Sequence, residues 1–288
     1  MGYRILLAIL LLLSTLTVHA FDLGGLVKEI TKEQSPASET EQQQAKQPGL
    51  LDLLGGTPVE EEIAIGREIC GRLLGAAPLV DDKRLQRYIN QVGAWVAKQS
   101  GRSDLIWHFG VIESHDINAF AAPGGYILVT KGLYKKLHNE AELAGVLAHE
   151  VGHVIKQHHL KILKQGQLID MGGGILKKRA SGDDKGQAIG KMIGSGAEIL
   201  ARGLDKNAEY EADRIGVVLA ARAGYDAYAL PSVLQEIGHV SAGDSSVALL
   251  FKTHPHPEKR LIELDAAMDG YAEQFDNGKT IVGRFYKL

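Results

Sequence analysis

Residues 142–155 read Glu-Leu-Ala-Gly-Val-Leu-Ala-His-Glu-Val-Gly-His-Val-Ile. Leu143, Val146, Leu147, Val151, Val154 and Ile155 recur at helical spacing, which predicts a buried helix here. His149 and His153 are four residues apart, so their imidazoles share one face, about 6 Å apart along the axis. Two imidazoles so placed can share one tetrahedral Zn²⁺. Glu150 lies about 100° round the helix, too far for ligation but able to serve as general base toward a water on the metal. The pentapeptide also occurs by chance on ordinary amphipathic helices. Burying two His and a Glu among apolar residues is costly, however, unless something pairs them.

A catalytic zinc site takes three protein ligands and leaves one position open. His159 stands at the spacing of the His-Glu-x-x-His-x-x-Gly-x-x-His signature, but the Gly position holds Lys156. With nothing nearby to break the helix, His159 would lie about 15 Å along the axis from His149 and is rejected as a ligand. His158 and His159 are instead expected as an exposed pair near the helix end. The other source is residues 207–214, Asn-Ala-Glu-Tyr-Glu-Ala-Asp-Arg, ahead of the apolar Ile215, Val217, Val218 and Leu219. Glu209 and Asp213 share a face, so one can ligate while the other hydrogen-bonds a ligand imidazole, and Glu211 points elsewhere. A solvated acidic face is the alternative.

Working outward, Thr57 is expected to cap a helix opened by Pro58 and Glu60 to Glu62. A second helix is predicted from Asp81 to Gln99, and strands over Leu105 to Ile112 and Tyr126 to Thr130. Further helices are expected from Leu133 to about Leu163, Asp205 to Ala223 and Pro257 to Met268. The fold class that follows is a mainly helical α+β domain with a small β-sheet, over residues 57–288. Residues 1–20 have the layout of a cleavable signal peptide: Arg4, the apolar run Ile5 to Leu13, then Val18-His19-Ala20. Residues 21–56 are expected to be a flexible linker, rich in Glu, Gln, Ser and Lys between Lys32 and Gln47. Leu50 to Leu54 either docks on the domain or belongs to the linker.

Four blocks in order carry a resemblance: Asn118-Ala-Phe-Ala-Ala-Pro-Gly-Gly-Tyr-Ile, the helix around His149, Glu209-Tyr-Glu-Ala-Asp-Arg and Thr253-His-Pro-His-Pro. From about residue 60 to 270 the chain resembles the BepA/HtpX-like zinc metallopeptidases, minigluzincins related to the CAAX prenyl proteases. That resemblance implies one Zn²⁺ held by His149, His153 and Glu209, with Glu150 as base and Asp213 behind a ligand. It implies that Asn118, Ala119, Phe120 and Ala121 belong to a strand lining the substrate cleft, where a peptide can add as a further strand. His254 matches a His-Pro element that in some periplasmic relatives approaches the zinc and restrains it. His256 competes for that assignment, and either His can instead cap the helix at Pro257. Residues 165–203 are read as a lid over the cleft or a plain surface excursion, with too many charges for a membrane span. With the sequence ending at Leu288, the tetratricopeptide array of BepA-type proteins is not expected, which puts their assembly-machinery partner in doubt.

The formal net charge of −3 and pI near 6.4 give no reason to expect nucleic acid as a partner. Cys70 is the one cysteine, which excludes an intrachain disulfide and thiolate metal clusters. There is no Gly-x-Ser-x-Gly elbow for a serine hydrolase. The expected function is a periplasmic zinc endopeptidase acting on unfolded or misfolded envelope proteins, with room for peripheral membrane association. The rival is a chaperone-like assembly factor whose zinc is structural or latched by His254.

Overall fold

A computed structural model describes residues 57–165 and 203–288, apart from 242, 255, 271–274 and 276. The expected signal peptide, the linker, Leu50 to Leu54 and nearly all of the lid segment lie outside the described residues. Two helices open the domain, α1 (Val59–Ala76) and α2 (Lys83–Ala97). Three strands follow: β1 (His108–Ile112), β2 (Ala119–Ala122) and β3 (Tyr126–Thr130). The one-turn α3 (Lys131–Tyr134) leads to α4 (Glu140–Ile155). After the undescribed segment come α5 (Lys206–Arg222), α6 (Ala229–Gly238), α7 (Ala248–Thr253) and α8 (Pro257–Met268). The mainly helical α+β architecture with a small sheet is as the sequence predicts.

The sheet runs in the order β1-β3-β2. β1 pairs parallel with β3, His108 opposite Tyr126, and β2 pairs antiparallel with β3, Ala119 opposite Val129. β2 is therefore an edge strand. The core joins sheet and helices through fully buried Leu85 and Ile89 of α2, Val111, Ile127 and Val129 of the sheet, and Leu143 and Leu147 of α4. Burial of each such side chain contributes roughly 1.5–3 kcal/mol.

Both ends of α4 are held by specific contacts. At its start the Asn139 side chain accepts from the Glu142 backbone N–H at 2.9 Å, and Thr280 O takes the Ala141 N–H at 3.1 Å. These satisfy donors that a helix start leaves without partners. Glu140, fully buried, accepts from Tyr88 Oη at 2.9 Å, from Tyr225 Oη at 2.8 Å and from the Arg284 guanidinium. Midway, α5 crosses α4 closely because Gly216 faces the His149 backbone: a Cβ there would lie 2.9 Å from His149 N.

Two expectations are corrected. Thr57 does not cap α1: the capping position is Pro58, without a side-chain bond, and Thr57 Oγ1 is buried with no partner among the described residues. The helix predicted from Leu133 to Leu163 is broken twice. It breaks before Asn139, whose side chain starts a new helix, and again at Lys156 and Gln157. Gln157 takes a left-handed conformation, φ 53°, before helix resumes over residues 158–165. That conformation disfavours a residue with a side chain. It is held by Gln157 Nε2 donating to Glu62 Oε2 at 3.1 Å. Glu62 is itself buried against Arg102 at 3.0 Å and the Gly124 N–H at 3.1 Å.

Candidate metal centre

α4 and α5 bring their polar side chains together in a buried interface. His149 Nε2 and His153 Nε2 lie 2.9 Å apart, and Glu209 offers Oε2 at 3.6 Å from the first and Oε1 at 3.6 Å from the second. His254, from the end of α7, brings Nε2 to 3.8 Å from Glu209 Oε2. One donor atom from each of these four residues falls within 4.8 Å of the others. His256 instead accepts from the Glu258 N–H at the start of α8, which separates the two histidines the sequence left open. His159 is outside the four, although its ring centroid is 5.7 Å from that of His153.

The donor set fits a cation. Both Glu209 carboxylate oxygens are buried without a hydrogen-bond partner among the described residues, an arrangement costly for an ionised group. His149 Nδ1 sits 2.8 Å from Asp213 Oδ1, and a carboxylate only accepts, so that nitrogen carries the proton and Nε2 is left as donor to a metal. His254 Nδ1 is 2.8 Å from Thr253 Oγ1, whose own proton points back to the α7 carbonyls of Leu249 and Leu250. The hydroxyl therefore accepts from Nδ1–H, and His254 also presents a bare Nε2. Burial and the Arg260 guanidinium oppose charging His149, yet Asp213 and Glu209 outweigh them and push it up to about 9. The pocket is short of positive charge, which a proton on His149 or a metal ion supplies.

Arg260 of α8 is the main residue that sequence reasoning missed. It donates Nε to Asp213 Oδ2 at 2.8 Å and Nη2 to Oδ1 at 2.5 Å, and both residues are nearly fully buried. Burial works against the Asp213 carboxylate, but Arg260 and then His149 hold its pKa well below the usual range. Its position was readable: Arg260 falls in register with the buried Pro257, Leu264 and Met268 of its helix. His158 was also misjudged, whereas Glu211 points away from the four-residue cluster as expected. His158 is buried, with Nδ1 3.0 Å from His153 Nδ1 and Nε2 3.2 Å from Glu211 Oε2, because the break at Gln157 turns it inward. His159 is half-buried and likewise turned toward the site, so the exposed pair is corrected at both positions.

Glu150, His254, His159 and Ala119 to Ala121 of β2 line a narrow cleft. Asn118 lies behind it, fully buried, with its side-chain amide unpartnered among the described residues. Burial pushes the Glu150 carboxyl up to about 7, the region where a group both accepts and returns protons near neutrality.

A helix-borne His-Glu-x-x-His, a carboxylate from α5 and a strand beside them define the class, a metallopeptidase domain. The chain belongs to peptidase family M48, whose model matches residues 83–268. It is 32% identical over 211 residues to the beta-barrel assembly-enhancing protease of Yersinia pestis, covering 70% of this chain and 43% of that protein. Its Escherichia coli (strain K12) counterpart is also 32% identical, over 221 residues, covering 72% and 45%. The mitochondrial metalloendopeptidase OMA1 of Arabidopsis thaliana is 29% identical over 182 residues, covering 63% and 36%. The matched region spans less than half the length of each of these relatives. No described helix is long and apolar enough to cross a membrane.

Proposed function

We propose that the chain is a zinc metalloendopeptidase, with His149, His153 and Glu209 as ligands and Glu150 as general base. The observation that carries this is Glu209: a buried carboxylate with both oxygens unpartnered, facing two imidazole nitrogens. Hard and borderline N/O donors in this number suit Zn²⁺, and no thiolate is near. When bound, zinc supplies Lewis acidity to a scissile carbonyl and lowers the pKa of water. The protein's part is proton handling and positioning. Glu150 takes a proton from the attacking water and returns it to the leaving amine. Asp213, clamped by Arg260, keeps the His149 ring in one orientation. The outer edge of β2 offers backbone N–H and C=O groups on which a substrate segment adds as a strand, which selects extended, unfolded chains.

The layout of residues 1–20 supports export to the periplasm, and the bacterial relatives' name, which refers to β-barrel assembly, supports a role among the proteins of that assembly; stalled or misfolded envelope proteins are the substrates proposed. A second reading is favoured by one contact: His254 presents a bare Nε2 to the same cluster. As a fourth ligand it would close the site, since hydrolysis needs an open position. The test is cleavage of unfolded casein by wild type, Glu150→Gln and His254→Ala, with zinc measured in each. Cleavage by wild type and not by Glu150→Gln at equal zinc supports the peptidase. Cleavage by His254→Ala alone supports a latched peptidase. No cleavage by any of them, with full zinc, contradicts the enzyme and leaves a structural metal.

A further inference from the structure

We propose that His158 and Glu211 form a positioning relay that fixes His153 as a metal donor, as Asp213 and Arg260 do for His149. The relay rests on the zinc reading above. It follows from assigning each proton. Lys156 Nζ holds Glu211 Oε1 at 2.5 Å, and Glu211 Oε2 lies 3.2 Å from His158 Nε2. An ionised carboxylate only accepts, so His158 Nε2 carries the hydrogen. A neutral imidazole has one N–H, which leaves His158 Nδ1 bare and able only to accept. The atom it meets, 3.0 Å away, is His153 Nδ1, which must then be the donor. His153 Nε2 is left bare, toward Glu209 and His149. Two bare nitrogens 2.9 Å apart make no hydrogen bond; a metal ion held by both, or a proton on His149 Nε2 in its absence, reconciles them.

The backbone is shaped for this contact. On an uninterrupted helix, His158 would sit five residues past His153, about 140° round the axis, and could not meet its ring. The left-handed Gln157 breaks α4 and folds the next turn back so that His158 is buried against His153. Glu62 of α1 anchors that break through Gln157 Nε2. Glu211 stands two residues from Glu209 and from Asp213, so α5 supplies a ligand and one carboxylate of each relay. One faces each histidine of α4.

The test is zinc affinity of the purified full chain, by competition with a chelator at pH 7.5, beside the thermal stability of the metal-free protein. His158→Phe keeps a ring but removes the acceptor, and is expected to weaken zinc binding about 10–100-fold. His158→Asn keeps a carbonyl acceptor and is expected to recover most of that loss. Glu211→Leu, on the half-exposed end of the relay, keeps the fold if His158→Phe does not. It too is expected to weaken zinc, while Glu211→Gln stays near wild type. A His158→Phe or Glu211→Leu protein that binds zinc within about twofold of wild type overturns the relay. So does a His158→Asn protein as weak as His158→Phe with equal metal-free stability. A wild-type protein that binds no zinc overturns the metal reading itself, which separates the two failures.

Discussion

Arg260→Met removes one half of a buried ion pair while keeping most of the side-chain volume. Arg260 is 4% exposed and Asp213 1%, so the abandoned carboxylate has no route to water. It loses two hydrogen bonds, at 2.8 and 2.5 Å, and Glu209 loses a guanidinium nitrogen 3.7 Å away. Breaking a buried pair by removing one partner costs ~3–5 kcal/mol. With a urea m-value of ~2–3 kcal/mol/M, the midpoint of the metal-free protein should fall by roughly 1–2 M. Saturating zinc should shrink the loss, because the ion returns positive charge to the same pocket. Adding Asp213→Asn to Arg260→Met removes both charges and should recover at least ~2 kcal/mol, whereas independent sites would simply add. Urea unfolding of the four proteins, with and without chelator, reads this directly. A loss under ~1 kcal/mol for Arg260→Met, or strict additivity in the double variant, refutes the clamp.

Other consequences follow from the same contacts. Burial alone would raise the Glu140 pKa, but Arg284, Tyr225 and Tyr88 hold it below the usual carboxylate range. A depressed folded pKa gives stability that is present above the unfolded value of about 4.3 and lost as pH falls through the folded one. Glu140→Gln should therefore lower stability at neutral pH and flatten its acid loss, measured as urea midpoint against pH with chelator present; an unchanged slope would contradict the assignment. Casein cleavage should fall on the acid side of an apparent pKa at or below about 7, because Glu150 must be ionised and a bound cation pulls its pKa down. An acid limb centred above pH 8 would exclude Glu150 as the base. Gly216→Ala, whose Cβ would meet His149 N at 2.9 Å, should cost ~1–3 kcal/mol and weaken zinc binding. Gly71→Ala meets nothing within 4 Å and should stabilise its helix by up to ~1 kcal/mol. Equal melting temperatures for these two variants would count against the close crossing of α4 and α5.

What could be read from sequence was what local periodicity and short-range spacing control. The faces of α4 and α5 were legible because His149 with His153, and Glu209 with Asp213, are separated by one helical turn. β3 and α8 were bounded by Gly-Gly and by Pro257 and came out at their observed limits. The break after α4 was not legible. It uses Gln157, which has no intrinsic preference for a left-handed backbone, and it persists because Glu62, 95 residues earlier, takes the side chain. His158 was misplaced for that reason alone. Arg260 was overlooked because a charged residue beside Glu258 and Lys259 resembles a solvated face; only its register with Leu264 and Met268 marks it as buried. The strand character of Ala119 to Ala122 rested on family resemblance, since four residues dominated by alanine carry little strand preference.

The central claim is that one zinc ion is held by two imidazoles and a carboxylate beside Glu150. Zinc X-ray absorption on protein purified without chelator tests it most directly. One zinc per chain is expected in a nitrogen and oxygen shell at about 2.0–2.1 Å, lost in Glu209→Gln or His153→Ala. A sulfur shell near 2.3 Å would bring in Cys70, buried away from the cluster on α1, and contradict the account. So would protein that carries no zinc at all.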